Sequence, residues 1–126
     1  MTALEPTSRI HANTHRRELY FSIAGFWEPG SMKEFLRDLT AAANPFIRDG
    51  VEFVAIGNLV DFVPQDRETA DSIRDSLLQA SQHGLTRFAV VSPSSLVRMQ
   101  YRRITEGVDV EFFDDEYSAR EWLRKA

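Results

Sequence analysis

Polar side chains able to do chemistry gather in one short stretch, where a predicted buried strand gives way to a helix. Val51–Leu59 is almost continuously apolar, and the side chains that follow it supply carboxylate, amide and hydroxyl groups. In an open parallel sheet, ligands and partners bind where strands end and helices begin. We therefore predict that the loop over residues 58–69 binds a partner, and the predicted contact residues are Asn58, Asp61, Asp66, Arg67, Glu68 and Thr69.

The carboxylates of this loop have two other interpretations. Hard divalent cations take oxygen ligands, but Asp61, Asp66 and Glu68 lack the ligand spacing and the glycine of a calcium loop. A carboxylate at a helix N-terminus also satisfies the free N–H groups of the first turn. A solvated loop that only caps its helix is therefore the alternative to a recognition edge, and the sequence predicts no metal site.

Other residues with reactive side chains lack the partners that catalysis requires. Ser92 and the two serines that follow it have no nucleophile elbow and no evident histidine and acid partners. The three histidines are separated along the chain, the glycines are isolated, and there is no cysteine, which argues against a metal site, a phosphate loop and thiolate chemistry. We predict a protein that is not an enzyme and holds no cofactor.

Basic residues cluster in the third predicted helix, where Arg98 and Arg102 are four residues apart. Like charges at this spacing disfavour an isolated helix, so a compensating anion is one interpretation of the pair. An ordinary exposed basic face is the other interpretation, since Glu106 lies four residues after Arg102 and neutralises part of the charge. We retain Arg98 and Arg102 as candidate anion contacts.

Large apolar side chains at the ends of strands and helices also have two interpretations. They are predicted either to pack in the core or to line an apolar pocket or a dimer contact, because aromatic residues carry much of the energy of interfaces. The candidates for a pocket or an interface are Trp27, Phe62, Met99 and Tyr101.

The composition limits the classes of partner. The chain has 126 residues, of which 43% are hydrophobic and 27% charged, as is typical of one globular domain. Its net charge of −4 does not favour nucleic acid as the main partner, because a phosphate-binding surface needs a basic excess. No apolar run approaches the ~20 residues that span a bilayer, and the N-terminus lacks a signal-peptide pattern. We expect a cytoplasmic protein without a membrane span.

Strand and helix patterns alternate along the chain in the order β-β-α-β-α-β-α-β-α. Repeated strand–helix units imply right-handed crossovers and a mostly parallel sheet of five strands with about four helices, and a hairpin turn at residues 15–17 makes the first strand antiparallel. The pattern predicts a single α/β domain over residues 1–126 with a loose N-terminus at residues 1–7. The predicted strands are Ser8–Thr14, Glu18–Trp27, Val51–Leu59, Phe88–Val91 and Val108–Phe112.

Local signals predict where the helices begin and end. Ser31 and Glu34 have the spacing of a capping box, and Asn44-Pro45 is predicted to close that first helix. Asp66 is predicted to cap the second helix. Ser92-Pro93 is predicted to start the third helix, with the serine as the cap and the proline in the first turn.

Four local patterns together resemble the SpoIIAA-like family. They are a strand ending in GNLVDFVP, the helix ETADSIRDSLLQASQHG, the strand RFAVV and the closing EFFDDEYSAREWL. The resemblance covers residues 8–123 and implies the fold of STAS domains (anti-sigma-factor antagonists) and, more distantly, of CRAL-TRIO lipid-binding domains. Proteins of this kind are small, bacterial and cytoplasmic. Fold likeness alone does not assign a function.

The resemblance also implies a place to look for phosphorylation. In the antagonists, a serine at the start of the second helix is phosphorylated by a partner kinase, in a pattern that reads roughly D-S-S-G. Here Asp66 matches the aspartate, whereas Arg67 and Glu68 match the two serines. Thr69 takes the position of the glycine. Because the acceptor is missing at its expected place, the candidate acceptors are Thr69 and Ser72.

Two hypotheses follow for the function. The first is a non-enzymatic regulatory or protein-interaction module that uses the loop at residues 58–69 to bind another protein or a second copy in a homodimer. The second is a carrier of a lipid or another apolar small molecule, with a partly unfilled pocket between the helices and the sheet lined by Phe, Met and Tyr.

Overall fold

The computed structural model describes residues 5–125 as a five-stranded sheet with three helices on one face and a single helix on the other. The sheet order is β1-β2-β3-β4-β5, with β1 antiparallel to β2 and all other pairs parallel, which confirms the predicted α/β architecture. The elements are β1 Thr7–Asn13, β2 Glu18–Ala24, α1 Pro29–Asp49, β3 Phe53–Asn58, α2 Arg67–Gln82, β4 Leu85–Val91, α3 Ser95–Ile104, β5 Val110–Phe113 and α4 Glu116–Arg124.

The larger core lies between the sheet and the layer of α1, α2 and α3. Side chains alternate along β2, so Leu19, Phe21 and Ile23 face this layer and are buried. The parallel strands β3 and β4 are buried on both faces, as continuous apolar runs in a covered sheet should be.

The opposite face of the sheet carries a much smaller core. Ile56, Ala89 and Val91 pack there against Ala119 and Leu123 of α4. On β1 and β2 the same face is polar, since Arg9 and His11 are exposed and Tyr20 and Ser22 are half-buried. The single helix α4 therefore packs mainly on the middle of the sheet.

The first helix differs from its prediction at both ends. It begins at Pro29, without a side-chain cap from Ser31, and runs through Pro45 to Asp49. The prediction that Asn44-Pro45 closes it was wrong, because burial of Phe46 against Phe53, with ring centroids 5.2 Å apart, offsets the backbone hydrogen bond that a proline forfeits. The helix ends instead at Gly50, whose φ of 66° is the left-handed conformation that favours glycine.

Of the other two predicted helix caps, one is confirmed and one is wrong. Asp66 caps α2 as predicted, and its Oδ1 accepts a hydrogen bond of 2.8 Å from the Thr69 backbone N–H. For α3 the prediction of a Ser92 cap was wrong, because Ser94 is the cap and accepts from the Val97 N–H at 3.2 Å. At the N-terminus, β1 begins at Thr7, and the rest of the predicted loose segment lies mostly outside the described residues.

A candidate partner-binding edge

The carboxyl ends of β2 to β5 open at one edge of the sheet, because these strands are parallel. We define the carboxyl edge as the loops that follow these strands together with the first residues of the next helix, residues 25–31, 59–68, 92–99 and 114–117. Backbone hydrogen bonds join neighbouring segments, from Gly25 N to Asp61 O at 3.0 Å and from Ser92 N to Phe113 O at 3.0 Å. A further bond of 2.8 Å runs from Leu59 N to Val91 O. The segments therefore form one continuous surface.

A buried glutamine holds this edge together. The Gln65 side chain accepts a 2.8 Å hydrogen bond from the Trp27 backbone N–H and donates to the carbonyls of Gly25 at 3.0 Å and Val63 at 2.6 Å. Its own backbone N–H and carbonyl exchange bonds of 2.9 and 2.8 Å with the Gln100 amide. Sequence reasoning missed Gln65, since a single amide after a proline in a polar loop gives no signal that it is buried.

The carboxyl edge also carries the exposed apolar side chains. Among residues 5–125, the large hydrophobic residues classed as exposed are between 41% and 72% accessible, and every one of them lies in the segments of this edge. They follow four successive strands and are Phe26, Val60, Leu96, Met99 and Tyr117. Their gathering at one edge makes that edge the candidate for a surface that binding covers.

Negative charge is concentrated at the same edge. Its segments hold seven carboxylates and two guanidinium groups, a net charge of −5, whereas the whole chain carries −4. Four of these carboxylates have a structural role, because Asp66 and Asp115 cap α2 and α4, Asp114 accepts from Arg98, and Glu116 accepts from three side chains. Asp61 and Glu68 are exposed and form no salt bridge with any residue that the structure describes.

The predicted contact residues of the loop do not all face outward. Asp61, Asp66, Arg67 and Glu68 are exposed. Asn58 is half-buried and is engaged inside the domain, since its Nδ2 donates to Glu116 Oε2 at 2.7 Å and its Oδ1 accepts from the Val60 N–H at 3.0 Å. We therefore place Asn58 among the groups that shape the loop.

The structure corrects the prediction for Thr69 both as a contact and as a phosphate acceptor. Its side chain has no accessible surface, and its Oγ1 donates to the Trp27 carbonyl at 3.4 Å. A kinase or a partner cannot reach this hydroxyl in the folded chain. Ser72 is half-buried on α2, and it stays the candidate acceptor.

The carboxylate that binds Asn58 belongs to a network on the α4 face of the sheet. Glu116 also accepts hydrogen bonds from the Tyr20 hydroxyl at 3.0 Å and from Arg120 at 2.9 Å. Burial opposes ionisation of Glu116, but the bonds from Asn58, Tyr20 and Arg120 outweigh it and hold the pKa of this carboxyl below its usual value. Burial and the same carboxylate raise the pKa of Tyr20. The network is fully paired and fixes the start of α4.

The predicted apolar contacts are mostly core residues. Trp27, Phe62 and Tyr101 are buried, with Phe62 edge-on to Tyr101 at a centroid distance of 6.2 Å. Their burial fits the alternative of core packing and is not compatible with a contact to a partner in the folded chain. Burial also raises the pKa of Tyr101. Met99 is exposed and belongs to the carboxyl edge.

The two arginines predicted to bind an anion lie apart and already have partners. Arg98 donates from Nη2 to Asp114 at 2.7 Å and from Nε to the Ser92 carbonyl at 2.7 Å, so it joins two segments of the carboxyl edge. Arg102 lies one turn further along α3, with its guanidinium 5.4 Å from the Phe112 ring centroid. The structure does not bring them together as an anion site.

An apolar cavity lies between α1, α2 and the sheet. Its volume is about 260 Å³, and its inner walls are the buried side chains of Phe21, Met32, Phe35, Phe53 and Phe88. Tyr101 also lines it, while Trp27 and Phe62 do not. This is the location and the type of lining that the sequence predicted for a pocket between the helices and the sheet.

Two other kinds of feature are absent from the described residues. No group of three or more His, Asp or Glu side chains is placed to hold a metal ion among residues 5–125. No helix in that part of the chain is long and apolar enough to cross a membrane.

Comparison with known proteins shows the fold. The chain is similar to the crystal structure of an uncharacterised protein with a SpoIIAA-like fold from Shewanella loihica, with a TM-score of 0.71, 20% identity and 98% of each chain covered. It is also similar to an anti-sigma factor antagonist from Mycobacterium paratuberculosis, with a TM-score of 0.67, 10% identity and 96% of each chain covered. No family model and no curated protein matches the sequence. The chain thus has the SpoIIAA-like fold that its sequence patterns predicted.

Proposed function

We propose that this chain is a non-enzymatic protein-interaction module that binds a basic protein through its carboxyl edge. The observation that carries the proposal is the coincidence, in the same four segments, of the exposed apolar side chains and a net charge of −5. The fold shared with an anti-sigma factor antagonist, a class of protein defined by its regulatory partner, is consistent with this role.

The chemistry of the edge defines the partner. Protein interfaces have an apolar centre and a polar rim, and here Val60 and Met99 would supply buried contacts while Asp61 and Glu68 remain at the rim. Because complementary charge steers association, the partner should present apolar side chains surrounded by Lys and Arg. An anionic bilayer or nucleic acid carries the opposite charge to that partner and would be repelled.

The test is capture of a partner from a native extract of the source organism by the immobilised chain. One bait variant carries Asp61→Lys with Glu68→Lys, and its control carries Glu52→Lys with Glu111→Lys, two exposed carboxylates outside the carboxyl edge. Both double variants change the net charge equally. We chose Asp61 and Glu68 because the Asp66 carboxylate caps α2, so a change there would alter folding as well as binding.

We expect the Asp61/Glu68 variant to lose at least about 90% of the captured partner, since charge reversal at a rim replaces attraction by repulsion, and the control to retain it. A second variant, Val60→Ser with Met99→Gln, should also capture less partner. The fraction that it still captures should fall with added salt as steeply as for the wild type, because the charges are unchanged. Equal capture by the Asp61/Glu68 variant and its control would contradict the proposal.

A second candidate function is favoured by the cavity. Protein interiors are close-packed and contain few voids larger than a water molecule, yet this domain keeps about 260 Å³ open between α1, α2 and the sheet. We infer that the cavity admits an apolar ligand, as a carrier would. A ligand that binds the folded state raises the melting temperature, so 1-decanol should stabilise the chain. The cavity-filling change Ala43→Leu should remove that shift, because Ala43 lines the cavity.

A further inference from the structure

The cavity has an apolar interior and a polar mouth. Five polar residues line it on the facing sides of α1 and α2, namely Thr40, Asn44, Ser76, Gln79 and His83. Four of them are exposed and Ser76 is half-buried, so they surround the opening rather than the interior. A ligand that fills the cavity would place its polar end among these side chains.

The mouth contains no permanently charged side chain. None of the residues lining the cavity, all of which fall within residues 5–125, is Lys, Arg, Asp or Glu. The His83 Nδ1 lies 2.7 Å from the Gln79 carbonyl, so Nδ1 donates and, in the neutral ring, Nε2 is left as an acceptor. An ionic head group would therefore lose part of its hydration without gaining a counter-charge.

We propose that the cavity selects an amphiphile with an uncharged, hydrogen-bonding head group, such as a long-chain alcohol or a monoacylglycerol, over the corresponding fatty acid anion or cationic amphiphile. The proposal rests on the second candidate function above. The amides of Asn44 and Gln79 offer both donors and acceptors to a hydroxyl head, and neither side chain is hydrogen-bonded to another residue in the described part of the chain.

The size of the cavity limits the apolar part of the ligand. An engineered cavity of roughly 150 Å³ takes up benzene, and drug-sized pockets begin near about 300 Å³. The volume of about 260 Å³ lies between these, so an alkyl chain on the order of ten carbons is a suitable probe. Each methylene removed from a buried chain should weaken binding about fourfold.

The experiment compares three probes with one alkyl chain. Isothermal titration calorimetry at pH 8 measures binding of 1-decanol, decyl sulfate and decyltrimethylammonium, with the alcohol kept below its aqueous solubility and the two ions below the concentrations at which they form micelles. We expect 1-decanol to bind at least about tenfold more tightly than either ion, and 1-nonanol to bind about fourfold more weakly than 1-decanol.

A matched pair of variants tests whether the mouth is the source of the selection. Gln79→Lys places a cation at the mouth, while Gln82→Lys places the same charge on an exposed position of the same helix that does not line the cavity. The first variant should strengthen decyl sulfate binding about three- to tenfold. The second should leave the order of the three probes unchanged.

The outcomes separate the two levels of the proposal. Equal affinity for all three probes, or an equal effect of the two lysine variants, would overturn the head-group selection while leaving the cavity as a binding site. Binding of none of the three would overturn the second candidate function together with the selection. Tighter binding of 1-decanol, with decyl sulfate rescued by Gln79→Lys alone, supports both.

Discussion

The two ends of the parallel strands are built differently. At the amino edge, where the parallel strands begin, a bidentate ion pair joins the start of β2 to the end of α4, with Arg124 donating to the two carboxylate oxygens of Glu18 at 2.7 and 2.9 Å. At the carboxyl edge, Asp61 and Glu68 are exposed and lack salt bridges within the described residues, next to exposed apolar side chains. The Glu18–Arg124 pair joins two elements of the fold, whereas Asp61 and Glu68 join none by a salt bridge among the described residues.

This difference points to the carboxyl edge as the place to look for a binding surface. At the carboxyl edge, four carboxylates cap helices or pair with other side chains, namely Asp66, Asp114, Asp115 and Glu116. What remains there is a set of exposed apolar side chains and carboxylates such as Asp61 and Glu68, which have no salt bridge in the described part of the chain. Such a surplus is the expected mark of a surface kept for binding.

The largest effect on stability should come from the buried amide that joins the loops of the carboxyl edge. Gln65→Ala removes its bonds to Gly25, Trp27 and Val63 and leaves buried backbone groups without partners. We expect the free energy of unfolding to fall by about 2–4 kcal/mol. Urea denaturation measures it, and Gln82→Ala, an exposed glutamine on α2, is the control that should change little.

The next effect should be at the amino edge and should depend on pH. Hydrogen bonds from Arg124 lower the pKa of Glu18, against the opposing effect of burial. A carboxyl whose pKa is lower in the folded state stabilises the fold above its unfolded pKa and loses this contribution as the pH falls through the folded value. We expect Glu18→Gln to cost about 1 kcal/mol at pH 7.

Protonation of Glu18 removes the same interaction. The difference in the free energy of unfolding between wild type and Glu18→Gln should therefore vanish as the pH falls through the folded-state pKa of Glu18. Unfolding measured at pH 7, 5 and 3 decides this. A constant difference at all three values would show that the carboxylate charge is not what stabilises the pair.

A smaller effect should separate two caps within the carboxyl edge. Asp66 accepts a hydrogen bond from the Thr69 N–H, whereas Glu28 stands at the cap position of α1 without a side-chain bond. We expect Asp66→Ala to lower the free energy of unfolding by about 1 kcal/mol and Glu28→Ala to change it by less than about 0.3 kcal/mol. Thermal unfolding measures both variants. An equal loss of stability in the two would show that the side-chain hydrogen bond of Asp66 is not what distinguishes the two cap positions.

The smallest effect on stability should come from the rim carboxylates. Asp61→Lys with Glu68→Lys relieves repulsion at an acidic edge but loses the favourable position of Glu68 in the first turn of α2. We expect these two effects to offset each other, so that the free energy of unfolding changes by no more than about 0.5 kcal/mol. A much larger loss would mean that these carboxylates serve folding after all, and the contrast between the two edges would fail.

The sequence predicted the order, sheet type and approximate positions of the elements, because hydrophobic periodicity and strand–helix alternation are local signals. It failed where tertiary packing overrode a local rule. Pro45 continues a helix because Phe46 is buried beyond it, and Ser94 rather than Ser92 caps α3.

The candidate site was predicted in place but not in detail. The loop at residues 58–69 belongs to the carboxyl edge, but no local pattern shows that Thr69 is buried or that Gln65 joins three segments. Of the exposed apolar residues, Met99 was among the predicted contacts. Val60, Leu96 and Tyr117 were missed, since they are far apart in sequence and are brought to one edge only by the sheet order. Contacts between distant segments are the part that a single sequence does not report.

Site-specific photocrosslinking in the source organism would show whether a protein partner binds the carboxyl edge. A photoreactive amino acid is introduced singly at Val60 or Met99 on the carboxyl edge and at Glu52 or Thr86 on the amino edge, all exposed positions. We predict a discrete adduct with another protein from the first two positions and none from the last two. Adducts from the amino-edge positions alone, or equally from all four, would contradict the account.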